Sequence, residues 1–225
     1  MDIESRRVGR LGLTRFSLVI TILCVLLLVG GAASFFFVED HATNSRIAFQ
    51  MFETFLMIVV IFIPPLLNRA VHIKVPAVMD IMFVAFCFCS LILGDVADFY
   101  GKFSWWDNMQ HGLSGILLGI LGYDIINLFN RQDGLRFRFP PLMVFMWVVC
   151  FALAMGACWE IMEFITDGLF GLNSQQFLVG SGTFDATEPL VGHEALRDTM
   201  EDLMLDLGGS LLIAAVGFFY LRRKR

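Results

Sequence analysis

Six long apolar blocks, near residues 16–38, 47–67, 75–93, 108–129, 142–165 and 200–221, alternate with polar connections along the chain. Each approaches the roughly 20 mostly apolar residues that a membrane-spanning helix needs. In lipid the backbone must satisfy its own hydrogen bonds, so a helix is the form such a block takes. No regular run of short alternating segments suggests a β-barrel. The pattern predicts an all-α polytopic membrane protein, a bundle of about six transmembrane helices forming one integral membrane domain over 1–225. The second block ends at Pro64-Pro65, a natural stop or kink. The third carries Asp80 within it. The first follows Arg6, Arg7, Arg10 and Arg15, which makes a signal peptide its rival reading. Its apolar run exceeds a usual signal core, and it is read as a helix.

Composition agrees with this pattern. Hydrophobic residues make up 57% of the 225, against roughly 45–50% in soluble domains, and the mean hydropathy is +0.74. Cys24, Cys87, Cys89, Cys150 and Cys158 all fall in apolar blocks, as small packing residues do. Basic residues set the orientation. With the N-terminus inside, thirteen of the 16 Lys and Arg lie on the inner side, and only Arg46, Lys102 and Arg197 lie outside. An even helix count then places both termini in the cytoplasm. Of the 21 acidic residues, sixteen lie in outer loops or outer helix halves. One long connection, near 166–199, lies on that acidic side; a loop of such length is a lid, a binding segment or disordered. No nucleotide-binding glycine loop or basic nucleic-acid stripe is present, so the expected partner is the bilayer, with no nucleic acid.

Three helices repeat one arrangement. On the fourth, Gly112, Gly115, Gly119 and Gly122 share a face, with His111 on or beside it. On the fifth, Ala152 and Gly156 lead outward to Glu160, Glu163 and Asp167. On the sixth, Asp198, Asp202, Asp206 and Gly209 lie along one stripe. Small residues let membrane helices approach closely. If the three faces meet, a cluster forms below the outer surface, holding His111, Glu160, Glu163, Asp202 and Asp206, with Asp107, Asp167 and Asp198 at its mouth. Asp107 with Gln110, and Asp198 with Glu201, also have the spacing of helix caps. Glu160, Glu163 and Asp206 have no such explanation, since charge inside a membrane segment is costly and marks a cavity or a partner. Trp105, Trp106 and Tyr100 fall where an interfacial aromatic belt is expected.

Crowded carboxylates either keep protons or share a cation. Carboxylates plus one imidazole suit magnesium, manganese, iron or zinc, so a divalent metal ion is the expected cofactor. A metal-dependent enzyme acting on a lipid or lipid-linked substrate would use Glu160, Glu163 and Asp206 to bind the metal or as acid and base, with Asp202 a further ligand and His111 a ligand or proton shuttle. A cation- or proton-coupled transporter and a purely structural protein are the alternatives.

The segment Trp105-Trp106-Asp107-Asn108-Met109-Gln110-His111-Gly112-Leu113-Ser114-Gly115 resembles the Trp-x-Asp…His-x-x-x-Gly signature of bacterial YjdF-type inner-membrane proteins, where it opens a transmembrane helix. Trp159-Glu160-Ile161-Met162-Glu163 resembles their Glu-x-x-Glu helix end. Asp198-Thr199-Met200-Glu201-Asp202-Leu203-Met204-Leu205-Asp206-Leu207-Gly208-Gly209 resembles their closing Asp-rich helix, and alone carries a looser similarity to VanZ-like membrane proteins. The resemblance covers roughly residues 94–215. It departs in the long loop, where Gly180-Ser181-Gly182-Thr183-Phe184-Asp185 stands in place of a Gly-Asp-x-Trp-Asp run. It implies a multi-pass protein of the bacterial cytoplasmic membrane and carries no activity with it.

Overall fold

Thr14 starts the first long helix. Its hydroxyl accepts the Ser17 N–H at 3.1 Å, satisfying one of the amides that a helix start leaves without a partner. The computed structural model describes residues 7–8, 12–70, 76–130, 139–180 and 187–223. The basic residues Arg6, Arg10, Lys74, Arg131, Arg136, Arg138, Lys224 and Arg225, the start of the third block at Val75 and the loop stretch 181–186 lie outside them. A short ladder joins β1 (Arg7–Val8) to β2 (Leu13–Thr14). Then come helices α1 (Arg15–Phe35), α2 (His41–Ile61), α3 (Ile63–Ala70) and α4 (Ala77–Cys87), the last continuing as a π-helix over Phe88–Val96. After the single turn α5 (Phe99–Lys102) follow α6 (Trp106–Asn130), α7 (Pro141–Phe170), a 3-10 turn (Glu194–Leu196) and α8 (Arg197–Arg223).

The protein is an all-α polytopic membrane protein. Among the described residues five stretches are long and apolar enough to cross a membrane: Arg15–Phe35, Thr43–Ala70, Ala77–Val96, Pro141–Phe170 and Glu194–Arg223. Helix α6 has the length, at 25 residues, but is not among the five. It carries Asp107, Asn108, Gln110, His111 and Asp124.

Boundaries differ from expectation for local reasons. Pro64 and Pro65 do not end the second block. They fall in the first turn of α3, where a missing N–H costs nothing, and the irregularity sits one step earlier at Phe62, whose N–H reaches Val59 O at 3.1 Å. Helix α7 runs to Phe170 rather than 165. Thr166 returns its hydroxyl to Met162 O and Glu163 O, both at 3.0 Å, and the helix closes at Gly171 in the left-handed region, φ 67°, a conformation that glycine adopts without steric cost. The long connection is therefore shorter than expected. Trp106 also departs from its expected belt position: it is buried, whereas Trp105 is exposed. All five cysteines are free.

The chain divides into two compact units, Met1–Phe99 and Tyr100–Arg225. In the first, Ile20 and Cys24 of α1 pack with Met57 and Ile61 of α2, Val84 of α4, and Leu91 and Ile92 of the π-helix. The second is a bundle of α6, α7 and α8. Its logic is a pair of buried ridges at spacing four, Val144, Val148, Ala152, Gly156 and Glu160 along α7 and Asp202, Asp206, Ser210 and Ala214 along α8, with Asp167 and Gly217 buried beyond them. Residues four apart stack on one helix face. At one end these ridges are small or aliphatic; at the other they are carboxylates.

Candidate functional site

The glycines of α6 make the site by removing volume. A Cβ added at Gly115 would stand 2.8 Å from Asp206 Cα, and one at Gly209 would stand 2.7 Å from Gly112 O. The backbones of α6 and α8 are thus in direct contact, a packing that only small residues permit. On α7, Gly156 gives the Asp206 carboxyl its space, since a Cβ there would meet Asp206 Cγ at 3.1 Å. The small-residue faces expected from the sequence are the surfaces through which the three helices meet.

Where they meet, His111 stands among four carboxylates. Its Nε2 lies 3.7 Å from Asp107 Oδ1, 3.9 Å from Glu160 Oε1 and 3.7 Å from Asp202 Oδ2. Its Nδ1 lies 3.6 Å from Asp206 Oδ2. His111, Glu160, Asp202 and Asp206 are all buried, the two aspartates to 1% exposure. Ser114 donates its hydroxyl to Asp206 Oδ1. Yet His111 Nδ1, Glu160 Oε1, both Asp202 oxygens and Asp206 Oδ2 have no hydrogen-bond partner. Buried polar atoms are ordinarily paired. Four carboxyl groups facing one imidazole cannot balance charge among themselves. One atom each from Asp107, His111 and Asp202 lie within 4.8 Å of one another, a spacing able to hold a metal ion.

The mouth of the site is closed by the first part of the long connection, which the sequence left open between a lid, a binding segment and disorder. Asp167 accepts the backbone N–H of Ser174 at 2.8 Å and of Gln175 at 3.0 Å. So anchored, Gln176 donates its carboxamide to Asp107 Oδ2 at 2.9 Å, at the cost of a left-handed backbone, φ 45°. Gln175 Nε2 reaches Thr199 Oγ1 at 3.0 Å and Glu160 Oε2 at 3.4 Å. Asn173 braces the same turn, its Oδ1 accepting Leu178 N–H at 2.9 Å.

Among the residues singled out from sequence, His111, Glu160, Asp202, Asp206 and Asp107 come together. Asp107 does not spend its side chain on capping; its oxygens face His111 and Gln176. Glu163 stands beside the ring rather than in it: its Oε1 accepts the Trp159 indole N–H at 2.8 Å, within electrostatic reach of Glu160, Asp107, His111 and Asp202. Asp167 serves the loop rather than the histidine. Asp198 sits one turn outward of Asp202 on α8, half-buried, with its Oδ2 unpartnered. Ser114, Gln175, Gln176 and Thr199 were missed. Only Ser114 carried a signal, lying three residues from His111 on the glycine-rich side of α6.

Comparison with known sequences places these residues in a family context. The sequence model of one family, described as predicted membrane protein (DUF2238), matches residues 18–223. The chain belongs to this family. The YjdF-type resemblance is consistent with that membership. A DUF2238 match of this extent covers every residue of the ring and of the loop that closes it. One relative, an uncharacterised protein of Thermotoga maritima, is 25% identical over 156 residues, 69% of either chain. No solved structure matches the chain.

Proposed function

We propose that the ring of Asp107, His111, Glu160, Asp202 and Asp206 holds a divalent cation, and that this centre carries out a hydrolytic or group-transfer reaction on a lipid or lipid-linked substrate at the outer side of a bacterial cytoplasmic membrane. One observation carries the reading: an imidazole and four carboxyl groups converge in a buried site while five of their polar atoms make no hydrogen bond. A divalent ion supplies the missing charge and the missing partner together. Asp107, Glu160 and Asp202 approach one ring nitrogen, Nε2, at 3.7–3.9 Å, and ligands on one ion stand roughly 3–3.4 Å apart, so these side chains would close on an ion at Nε2, while Asp206, on Nδ1 at 3.6 Å, would orient the imidazole. The bound ion would polarise an ester or phosphoryl oxygen, or lower the pKa of a bound water.

A carrier needs a path through the membrane, and the interior beneath the ring favours the enzyme reading. Inward of Asp206, α8 turns Ser210, Ala214 and Gly217 into the interface. Ser210 spends its hydroxyl on Leu207 O at 2.9 Å. Beyond it Ile126, Val144, Val148 and Ala214 form an apolar core. The centre thus has an apolar core on one side and the turn that carries Gln175 and Gln176 on the other.

Elemental analysis of protein purified without chelator tests the metal. Wild type should carry about one equivalent of a transition metal, or take up magnesium or manganese on titration, and Asp202→Asn and His111→Gln should lose affinity about tenfold or more. Wild type that takes up none of these ions would falsify the metal reading. Release of a water-soluble product from vesicle lipids, dependent on the added ion and absent in Asp202→Asn, tests the reaction.

A further inference from the structure

A cleft of about 330 Å³ opens between α7 and α8, beside the ring. Its walls are Ala157, Ile161 and Phe164 of α7 and Leu203 of α8; its polar end is Glu160, Gln175 and Thr199. The volume is at the lower end of the range that holds small ligands. Both walls belong to stretches long and apolar enough to cross a membrane, and Ile161 and Phe164 in them are exposed. The medium the cleft faces is therefore acyl chain. Glu160 joins cleft to ring: its Oε1 is turned to His111 Nε2 at 3.9 Å and its Oε2 to Gln175 Nε2 at 3.4 Å.

We propose that this cleft seats the apolar chain of the lipid substrate, and that Glu160, Gln175 and Thr199 receive an uncharged, hydroxyl-bearing polar end and present it to the cation. The proposal rests on the reading of the ring as a metal-dependent centre and adds the substrate class to it. Charge selects the head group. No Lys or Arg lines the cleft; the outer Arg197 is engaged with Glu194 at 3.1 Å and Glu201 at 3.8 Å. Four carboxyl groups exceed the charge of one divalent ion, so a dianionic phosphate monoester is repelled. A hydroxyl instead would replace the long 3.4 Å contact between Gln175 Nε2 and Glu160 Oε2, accepting from the carboxamide and donating to the carboxylate. The chain lies along Ile161, Phe164 and Leu203, in the hydrocarbon it came from, so entry from the bilayer requires no extraction into water.

The full chain, reconstituted in phosphatidylethanolamine vesicles, is irradiated with a trace of diacylglycerol carrying a diazirine on one acyl chain, and in parallel with phosphatidic acid carrying the same chain. Peptide mass spectrometry locates the label. Diacylglycerol should label the peptides of Ile161, Phe164 and Leu203 well above other lipid-facing helix surfaces, and phosphatidic acid at least about tenfold less. Ile161→Trp, at an exposed position, and Leu203→Phe as a second filling variant should each lose this label while metal content stays at the wild-type level. Asp202→Asn should lose metal and keep the label. Even labelling over all lipid-facing helices, equal labelling by the two lipids, or undiminished labelling in both filling variants would overturn the proposal. Failure of the underlying reading shows separately, as wild-type protein that holds no metal.

Discussion

Ser114 on α6 donates its hydroxyl to Oδ1 of Asp206 on α8, and Asp206 turns its other oxygen to His111 Nδ1 at 3.6 Å. One carboxyl group thus links the packing of two helices to the ring. It reaches that position because Gly115 lets the α8 backbone lie against α6. Gly115→Ala should therefore destabilise the protein by about 1–3 kcal/mol, the cost of overpacking a close-packed interface. Gly112, three residues away, has nothing within 4 Å of an added Cβ. Gly112→Ala should be neutral, or stabilising by up to about 1 kcal/mol through helix propensity. Thermal unfolding in detergent compares the two, and equal effects would contradict this account of the interface.

The two glutamates of α7 should separate. Glu160 is buried with Oε1 turned to His111, whereas Glu163 is bound to Trp159. Glu160→Gln removes a charged ligand from the ring and should weaken cation binding about tenfold or more. Glu163→Gln keeps the length and an acceptor oxygen for the indole and removes only a charge beside the ring, so it should weaken binding far less than Glu160→Gln does. Titration with manganese, followed by electron paramagnetic resonance, reads both affinities. The reverse order would place the centre elsewhere on α7.

This division shows what a helical repeat can and cannot disclose. Ala152, Gly156 and Glu160 are four apart, as are Asp198, Asp202 and Asp206, and at that spacing the sequence displays the ridges that the bundle uses. Small residues on three faces were enough to bring His111, Glu160, Asp202 and Asp206 to one level. Glu163, three residues beyond Glu160, shares the face in projection. Its choice of Trp159, one turn back on the same helix, depends on a rotamer that periodicity does not encode. The extra turn of α7 was hidden for a similar reason: Thr166 and Asp167 read as loop residues, yet one is satisfied by the preceding turn and the other by amides of the following loop. Gln175 and Gln176 lie in a segment with no repeat. Tertiary bonds to Asp167, Glu160 and Asp107 fix their place, and nothing in their sequence spacing marks it.

Binding an ion to the folded state alone stabilises it by mass action. At a free ion concentration near a hundred times the dissociation constant, the gain is about 2.7 kcal/mol. Wild type should therefore unfold at a higher temperature with saturating ion than after chelation. Asp202→Asn should show almost no difference between the two conditions. Without ion, replacing Asp202 should cost little or even stabilise, because Asp202 is a buried carboxyl whose oxygens make no hydrogen bond and which crowds three other carboxyl groups around one imidazole, and an amide of the same shape removes its charge. If Asp202→Asn is strongly destabilising in chelator, the ring holds the helices together by its own bonds and the ion is not what it was built around.

Asp167 tests whether the closing loop is a separate element. Its carboxylate accepts two backbone N–H groups, from Ser174 and Gln175, and hydrogen bonds to a charged group are worth roughly 1.5–3 kcal/mol each. Asp167→Ala frees the turn that carries both glutamine side chains, while the helix end remains closed by Gly171 N–H on the Asp167 carbonyl at 2.9 Å. The loss should be local, since segments with few buried contacts open on their own. Hydrogen exchange of the peptide covering 172–178 should speed up by about tenfold or more, with α6 and α8 as protected as before. Cation affinity should stay near wild type, because Asp167 lies outside the ring, whereas lipid labelling at the cleft should fall as Gln175 leaves Glu160 and Thr199. Loss of protection throughout α6 and α8 would show instead that the loop and the bundle open as one unit.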